Sequence, residues 1–395
     1  MHKLAVIISH PIQYYSPWFK YLKQYSNFDP KVFYLWDFGV TQKVDRGFQQ
    51  SLAWDIPLLE GYDYEFVPNH SRHPGTHHFR GLINPTLLTQ VQNYAPDAVL
   101  MMNYNYASLY RFLWQWDHHQ APVLFRGDSH RLHSPTGIKP WARRQFISQV
   151  YRWFDACLYV GKANYHYFRY HQVPPHRLFF APHAVDNDRF FAQADQARQQ
   201  AKAWKQALGI PQEQPLILFA GKFEDKKRPL DLLRAFRQAN LADVGLLLVG
   251  AGPLESALRA EAEGDANVYF APFQNQSQMP RTYAAADLVV LPSYGVWETW
   301  GLVINEAMGM GRAVLTSNHV GCTEDLVQPY KNGLVFPAGD IKALVKALRE
   351  AFADRNRLQQ WGQESRRMVN QYSYRQVTTG LEQAVNYTTT LAKAA

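Results

Sequence analysis

The chain has 395 residues, enough for two domains of ordinary size, and its 47% hydrophobic content is that of a soluble globular protein. Its net charge is +8, and residues 1–200 hold 20 Lys and Arg against 14 Asp and Glu, which predicts an anionic partner for that half. Nucleic acid is disfavoured because no segment resembles a nucleic-acid-binding module. Cys157 and Cys322 are far apart, so they indicate neither a disulfide scaffold nor a cysteine metal site.

The first half of the chain alternates strand and helix patterns. The first apolar run, residues 4–9, is a predicted strand and is too short for a signal peptide or a membrane span, which favours a cytoplasmic location. Further strands are predicted at 31–35, 64–67, 98–102, 123–126 and 156–160, and helices at 16–25, 85–94, 107–118 and 140–154. The alternation predicts a parallel sheet with helices on both faces, whereas residues 39–78 are predicted to be irregular.

Polar residues follow three of these strands. They are His10, Gln13 and Tyr14 after the first strand, Asn103 and Tyr104 after 98–102, and Asp128 and His130 after 123–126. The carboxyl ends of parallel strands meet at one edge, so all three groups are expected to open into one cleft. In a chain with fifteen histidines, a structural role for His10 and His130 stays the alternative.

Residues 137–154 interleave cations with aromatic side chains at helical spacing. A basic amphipathic helix of this kind can lie on an anionic membrane, so peripheral contact with the inner face of a membrane is one prediction. The other is an ordinary domain helix with an apolar inner face and solvated outer charges.

The second half repeats the scheme after a polar, helix-prone connection. Domains are predicted at 1–195 and 212–373. Strands are predicted at 216–220, 244–249, 268–270, 288–291, 313–316 and 333–336, with helices between them, and a final amphipathic helix begins at residue 374. The predicted class is α/β, with two doubly wound domains.

Two carboxylates, Glu298 and Glu306, stand eight positions apart across a strand-to-helix junction. The strand before them ends in a Pro/Ser turn, and residues 301–309 are predicted to form the first turns of a helix, with free amides from near Thr299. At about 1.5 Å per helical residue, the two carboxylates are expected to lie roughly 12 Å apart. That span suits a hydroxyl-rich ligand with a diphosphate in its middle, facing the helix start. A solvated surface position is the alternative for Glu306.

A cationic loop follows the strand 216–220. Gly221 permits a tight exit from the strand, and Lys222 and Lys227 are expected to converge on a phosphate near the next helix start. Four cations in seven residues also fit a solvated loop. Gly250 and Gly252 form a later strand-to-helix turn, which is weak evidence for a ligand because tight turns need glycine anyway.

Together the Glu298-x7-Glu306 pattern, the loop from Gly221 to Pro229 and the turn from Val249 to Leu254 resemble the glycosyltransferases of the GT-B fold, in retaining family 4, the glycosyl transferases group 1. The resemblance is strongest over residues 215–345. It implies two Rossmann-like domains facing across a cleft, with the helix 374–395 packing back on the first. Lys222 departs from the pattern, since arginine is common there, and the loop after the first strand lacks the usual pair of glycines.

The resemblance implies a nucleotide-diphosphate sugar as donor, with no metal and no cofactor. Glu306 would then meet the ribose hydroxyls and Glu298 the sugar ring, while Lys222 and Lys227 stabilise the leaving diphosphate. The other donor-side residues implied are Gly250, Gly252, Phe273, Thr299, Trp300, Gly301 and Leu302, with the Trp300 side chain expected in the core.

Asp128 and His130 are the nearest matches to the residues that relatives place at the transferred sugar. The acceptor is expected to be a saccharide, a lipid-linked sugar or a small metabolite, bound near His10, Gln13, Tyr14, Asn103 and Tyr104. Two other classes stay open. One is a different GT-B enzyme, such as a nucleotide-sugar epimerase or a phosphorylase, and the other is a non-catalytic sugar-nucleotide-binding or membrane-associated scaffold protein.

Overall fold

The computed structural model describes residues 1–41, 43–45, 48, 50–132 and 138–394. Its strands are β1 (His2–Ile8), β2 (Phe28–Tyr34), β3 (Lys43–Asp45), β4 (Gln50–Leu52), β5 (Asp63–Phe66), β6 (Ala98–Met101), β7 (Val123–Arg126), β8 (Ala156–Tyr159), β9 (Leu178–Phe180), β10 (Leu216–Ala220), β11 (Gly245–Val249), β12 (Val268–Ala271), β13 (Leu288–Leu291), β14 (Ala313–Ser317) and β15 (Gly333–Phe336). Its α-helices are α1 (Ser16–Tyr25), α2 (Leu87–Tyr94), α3 (Ala107–Gln115), α4 (Ile138–Tyr151), α5 (Lys162–Tyr170), α6 (Asn187–Ala192), α7 (Ala194–Ala207), α8 (Pro229–Ala239), α9 (Glu255–Glu261), α10 (Met279–Ala284), α11 (Leu302–Gly309), α12 (Thr323–Leu326), α13 (Ile341–Phe352), α14 (Arg355–Val369) and α15 (Tyr374–Ala394).

Within the described residues, the strands form two large parallel sheets and one short hairpin. The first sheet has the order β5-β2-β1-β6-β7-β8-β9, the second has the order β12-β11-β10-β13-β14-β15, and β3 pairs with β4. Alternate side chains of β1 enter different cores: Leu4 and Val6 pack on one face and Ala5 and Ile7 on the other. Both faces are therefore buried, which explains why the strands read as continuous apolar runs. The predicted class, α/β with two doubly wound Rossmann-like domains, is confirmed.

Helix α8 illustrates how the sequence builds one covering element. Pro229 occupies its first turn, where the missing N–H costs nothing, and Asn240 ends it in the left-handed conformation. Leu232, Leu233 and Phe236 are buried against the second sheet, and each contributes about 1.5–3 kcal/mol by leaving water. The start of this helix thereby places the cationic loop that precedes it.

The last helix, α15, packs against the first sheet although it follows the second domain in the chain. The Trp18 indole N–H donates to the Thr378 hydroxyl at 3.2 Å, and Leu381 is fully buried in the first domain's core. Gly380 allows the close approach, because a Cβ there would lie 2.0 Å from the Phe180 carbonyl oxygen. Helix α15 thus ties the two halves of the chain together.

Several sequence-based boundaries differ from the structure. The sequence pattern predicts neither strand β9 nor the hairpin β3-β4 inside the region 39–78, whereas the strand predicted at 64–67 is confirmed as β5. Helix α3 ends at Gln115, before the predicted end at residue 118, and the Trp116 indole N–H donates to the Ala121 carbonyl oxygen at 2.9 Å. Within the described part of the chain, no helix has both the length and the apolar character needed to span a bilayer.

Candidate active site

A cavity of about 450 Å³ lies between the carboxyl edges of the two sheets. The first domain lines it with Gln13, Tyr14, Tyr15, Phe48, Trp54, Asp128 and His183. The second domain lines it with Ala220, Gly221, Lys222, Lys227, Val249, Gly250, Phe273, Gln274, Gln276, Met279, Tyr283, Glu298, Thr299, Trp300, Gly301, Leu302, Val303 and Glu306. This is the position at which doubly wound domains bind their ligands.

One end of the cavity holds an ion pair between Lys227 and Glu298. The Ser293 hydroxyl also donates to Glu298 Oε2, at 2.9 Å. Lys227 follows β10 and Glu298 follows β13, and these strands are neighbours in the sheet, so their loops meet. Lys222 lines the same cavity, with its ammonium 4.9 Å from the centre of the Phe48 ring. Two cations and one carboxylate therefore line this part of the cavity.

Glycines let the loops around this ion pair approach one another. A Cβ at Gly250 would lie 1.9 Å from the Gly221 carbonyl oxygen, so any side chain there would push two strand-end turns apart. Gly301 has a φ of +99°, a conformation that favours glycine. Helix α11 begins at the next residue, Leu302, one residue after the predicted start at Gly301, so its first amides lie beyond Thr299, near which they were expected. Leu302 and Val303 at the start of α11 both line the cavity.

Glu306 lies elsewhere on the wall of the cavity and is 3% exposed, which contradicts a solvated surface position. The Tyr283 hydroxyl donates to Glu306 Oε2 at 2.5 Å, and the Gln276 amide donates to Oε1 at 3.5 Å. The Arg189 guanidinium donates to the Gln276 backbone and side-chain oxygens at 2.8 and 2.9 Å. Burial raises the pKa of Glu306. The carboxylate is thus held in place from one side while it faces the cavity.

Asp128 joins the two domains across the cavity. The Thr299 hydroxyl donates to Asp128 Oδ2 at 2.7 Å, and His183 Nε2 lies 3.2 Å from the same oxygen. Burial alone would raise the pKa of Asp128, but the hydrogen bonds from His183 and Thr299 lower it to about 2. Burial also lowers the pKa of His183. Asp128 is therefore ionised at neutral pH and is fixed by one side chain from each domain.

Aromatic side chains from both domains form another wall. The Phe273 ring centre lies 4.5 Å from that of Phe48 and 6.4 Å from that of Trp54. Asp55, next to Trp54, accepts the Ser277 backbone N–H at 3.0 Å. The sequence did not show which part of the ligand the region 39–78 contacts. In the structure its residues Phe48, Trp54 and Asp55 reach the second domain beside Phe273.

The expectation that three polar groups open into one cleft is wrong for the group after β6. Tyr104 is buried among Phe125 and Tyr151 in the core of the first domain, and the Asn103 side chain accepts the backbone N–H groups of its two successors. Neither lines the cavity. The side chain of Asn103 folds the loop back on itself, and Tyr104 turns towards the apolar face under α4.

Three more predicted residues lie outside the main cavity. His10 packs edge-on against Trp36 and Phe38, and burial lowers its pKa to about 4. Gly252 abuts the Phe223 backbone. His130 lies between this cavity and a second one, with Nε2 3.1 Å from the Glu298 carbonyl oxygen. Trp300 is 3% exposed, as expected for core, and its indole N–H donates to Asn305 Oδ1 at 2.7 Å.

Sequence reasoning missed several residues at the cavity. They are Tyr15, Phe48, Trp54, His183, Gln276 and Tyr283. His183 follows the short strand β9, so recognising that strand would have given it the same strand-end signal as Asp128. Gln276 and Tyr283 lie in a segment with no pattern beyond that of a helix, and only the fold brings them to Glu306.

Asp325 provides a pH-sensitive contact between the domains. Its carboxylate oxygens accept the Lys162 backbone N–H at 3.0 and 3.2 Å, and burial raises its pKa from 3.8 to about 6. The folded state therefore binds this proton more tightly than the unfolded chain does. The free energy of unfolding should fall as pH rises from about 4 to 6, by up to about 3 kcal/mol at roughly 1.4 kcal/mol per pKa unit.

Asp325→Asn is expected to remove that part of the pH dependence. The measurement is urea unfolding of the wild type and the variant between pH 4 and 7. Glu263→Gln, at an exposed glutamate in the loop after α9, is the control and should keep the wild-type slope. An equal slope in Asp325→Asn would show that another group is responsible.

The whole chain is similar to solved structures with the same two-domain arrangement. A glycosyltransferase from Rickettsia africae ESF-5 superimposes with a TM-score of 0.73 at 16% identity, covering 98% of each chain. Anabaena Alr3699/HepE, in complex with UDP and glucose, gives a TM-score of 0.71 at 16% identity, covering 98% of this chain and 100% of that one. At this identity the likeness establishes the fold, and residues 200–368 match the family model of the glycosyl transferases group 1.

Residues 200–368 belong to the glycosyl transferases group 1. The resemblance that the motifs predicted is confirmed for this segment, and the two-domain GT-B fold is confirmed for the whole chain.

Among curated relatives of this GT-B chain, D-inositol 3-phosphate glycosyltransferase of Mycobacterium sp. (strain JLS) is 36% identical over 156 residues, which cover 37% of this chain and 33% of the relative. O-antigen chain mannosyltransferase C of Escherichia coli is 29% identical over 171 residues, covering 43% of this chain and 44% of the relative. The matched regions thus span less than half the length of each of these relatives.

Proposed function

We propose that the protein is a retaining glycosyltransferase that moves a hexose-type sugar from a nucleotide-diphosphate sugar to a hydroxyl group of a saccharide, a lipid-linked sugar or a small metabolite. The observation behind the proposal is a single cavity lined by the Lys227–Glu298 ion pair and by the buried Glu306 held by Tyr283. The two cations in this cavity, Lys222 and Lys227, suit a diphosphate. A carboxylate with two acceptor oxygens, such as that of Glu306, suits a vicinal diol.

The donor is proposed to lie with its ribose at Glu306 and its base beside Phe273 and Phe48. Tyr283 occupies one Glu306 oxygen at 2.5 Å from behind, which orients the carboxylate before a ligand arrives. Preorganised groups of this kind bind without a further entropic cost.

The diphosphate is proposed to lie between Lys222, Lys227 and the start of α11 at Leu302. When the bond from the sugar C1 to the diphosphate oxygen breaks, negative charge develops on that oxygen. Positioned cations and helix N-terminal amides stabilise such charge most in a site that excludes water. Metal independence stays a prediction, and it is checked by turnover in the presence of EDTA.

Asp128 supports the proposed retaining course. A carboxylate whose pKa is lowered to about 2 is a poor base at neutral pH. The acceptor proton is therefore proposed to go to the leaving diphosphate oxygen as the acceptor oxygen bonds to C1 on the same face. Ionised Asp128 lines the same cavity, and it is proposed to stabilise positive charge that develops on the sugar ring.

The proposal is tested with nucleotides alone before any acceptor is known. At a hundred times its Kd, UDP or GDP should stabilise the folded protein by about 2.7 kcal/mol, which is read as a rise in melting temperature. At the same concentration UMP or GMP should stabilise it far less, because they lack the β-phosphate and bind more weakly. The matching nucleotide sugars should be hydrolysed slowly to the free sugar and the nucleoside diphosphate. Conversion of the donor to an epimer would favour the epimerase class. Binding without any turnover would favour the scaffold class, and the absence of nucleotide binding would overturn the proposal.

Contact with an anionic membrane through residues 137–154 stays a prediction. Residue 137 lies outside the described residues, and α4 covers most of the remainder. Trp141 and Phe146 on this helix are more than half exposed, and Trp153 beyond its end is 38% exposed. Exposed aromatic side chains of this kind suit an interfacial position.

A further inference from the structure

A second cavity, of about 460 Å³, adjoins the first. The first domain lines it with residues after β7, on α4 and at the end of α5, and the second domain closes it with Val296, Trp297 and Thr299. Thr299 lines both cavities. Trp297 is 72% exposed at this second cavity, where its indole offers a flat surface of the kind that sugar rings stack on.

The charge of the second cavity is strongly one-sided. Arg131, Arg143 and Arg144 line it, and no carboxylate is among the described residues that do so. Two of the guanidinium groups pack against the ring of Tyr170. The guanidinium carbon of Arg131 lies 3.5 Å from the ring centre, and the guanidinium carbon of Arg144 lies 4.4 Å from it. The Arg144 Nε–H also donates to the Tyr170 carbonyl oxygen at 3.0 Å.

These three arginines have no ion-pair partner within the part of the chain that the structure describes. Like charges that converge without a carboxylate repel one another, and they do so least when an anion lies between them. Two histidines also line the cavity. His171 stays neutral at pH 7, because burial first and then the nearby arginines lower its pKa to about 4, and burial also lowers the pKa of His130. The guanidinium fork matches phosphate and carboxylate oxygens, so the missing partner is an oxyanion.

The cavity also has the right position for an acceptor. His130 lines it, and its Nε2 lies 3.1 Å from the carbonyl oxygen of Glu298, whose carboxylate lines the donor cavity. Asp128, two residues before His130, lines the donor cavity and bonds to Thr299. Because Thr299 lines both cavities, it marks the point at which a hydroxyl group of a molecule held among the arginines would meet the donor.

We propose that the second cavity is the acceptor subsite and that the acceptor is a sugar carrying an anionic group, either a phosphate or a carboxylate. The inference rests on the proposed function and adds the chemical class of its acceptor. An anionic membrane surface is the competing partner for the same arginines. Their place in a cavity that residues of the second domain also line favours the anionic sugar.

The experiment compares sugars that differ only in charge. Binding of glucose, glucose 6-phosphate and glucuronic acid is measured by calorimetry in the presence of saturating nucleoside diphosphate. We expect at least one anionic sugar to bind tenfold or more tightly than glucose, and the phosphate and carboxylate arms identify which oxyanion the site prefers. Equal binding of all three sugars would overturn the inference.

The variants assign that preference to the cavity. Arg131→Gln combined with Arg143→Gln should reduce the preference for the anionic sugar tenfold or more, and Arg152→Gln, a cation just beyond the end of α4 and outside the cavity, should not. A preference that survives in the double variant would contradict the inference. Loss of binding to phosphatidylglycerol vesicles with unchanged sugar binding would assign the arginines to a membrane instead.

Stabilisation by the nucleoside diphosphate is recorded for every variant. If the wild type is not stabilised, the proposed function fails whatever the sugars do. If every variant is stabilised equally and charge makes no difference to sugar binding, only the inference about the acceptor fails.

Discussion

Lys227→Ala is expected to lower turnover by roughly 10²–10³-fold, the usual loss when one positioned group that stabilises transition-state charge is removed. Lys227 lines the cavity beside Lys222 and pairs with Glu298, and the proposed leaving diphosphate lies between these cations. The decrease should appear mainly in kcat, because the negative charge on the leaving oxygen grows as the bond breaks. The measurement is donor hydrolysis, or transfer once an acceptor is found.

Lys226→Ala is the matched control for this prediction. Lys226 is the preceding residue, pairs with Glu224 and does not line the cavity, so its loss should change turnover less than twofold. The stronger stabilisation by UDP or GDP than by the monophosphate should shrink in Lys227→Ala and persist in Lys226→Ala. Unchanged turnover in Lys227→Ala would mean that the phosphate assignment is wrong.

Glu306→Gln is expected to weaken donor binding by about 10- to 100-fold, since a hydrogen bond to a charged group contributes about 1.5–3 kcal/mol. The substitution keeps the size of the side chain, so Tyr283 can still donate to an oxygen at the same place. The proposed ribose position is remote from the reacting bond, so its contacts are expected to be equal in the ground and transition states. The effect should therefore appear in KM, with kcat changed little.

The pH dependence gives a second test of Glu306. Burial raises its pKa, and the ionised form is the one proposed to accept both ribose hydroxyls. Nucleotide affinity should therefore strengthen as pH rises through a range above that of an ordinary glutamate, and this limb should vanish in Glu306→Gln. Glu255→Gln, on the exposed pair with Arg259, should keep it. A Glu306→Gln profile identical to that of the wild type would remove Glu306 from the nucleotide site.

Local sequence was sufficient for most of the fold. Strands β10 and β13 are buried on both faces, so nearly all of their residues are apolar. Such a continuous apolar run is recognisable in the sequence alone. The donor-side residues could also be predicted from the sequence. Lys222, Lys227 and Glu298 lie in the loops that follow such strands, and Glu306 lies in the helix after the loop of Glu298. The short strand β9 and the hairpin β3-β4 carried too few residues to show a period.

The chain by itself determined the two parallel sheets, the carboxylates and lysines at their edges, and the resemblance of its second half to the glycosyl transferases group 1. Only the tertiary structure decided that Asp128 meets His183 and Thr299, that Tyr104 turns into the core, and that three arginines converge on a cavity without a carboxylate. Strand patterns depend on neighbours a few positions apart. Which side chains meet depends instead on how two domains face each other, and Thr299 lies 171 residues from Asp128.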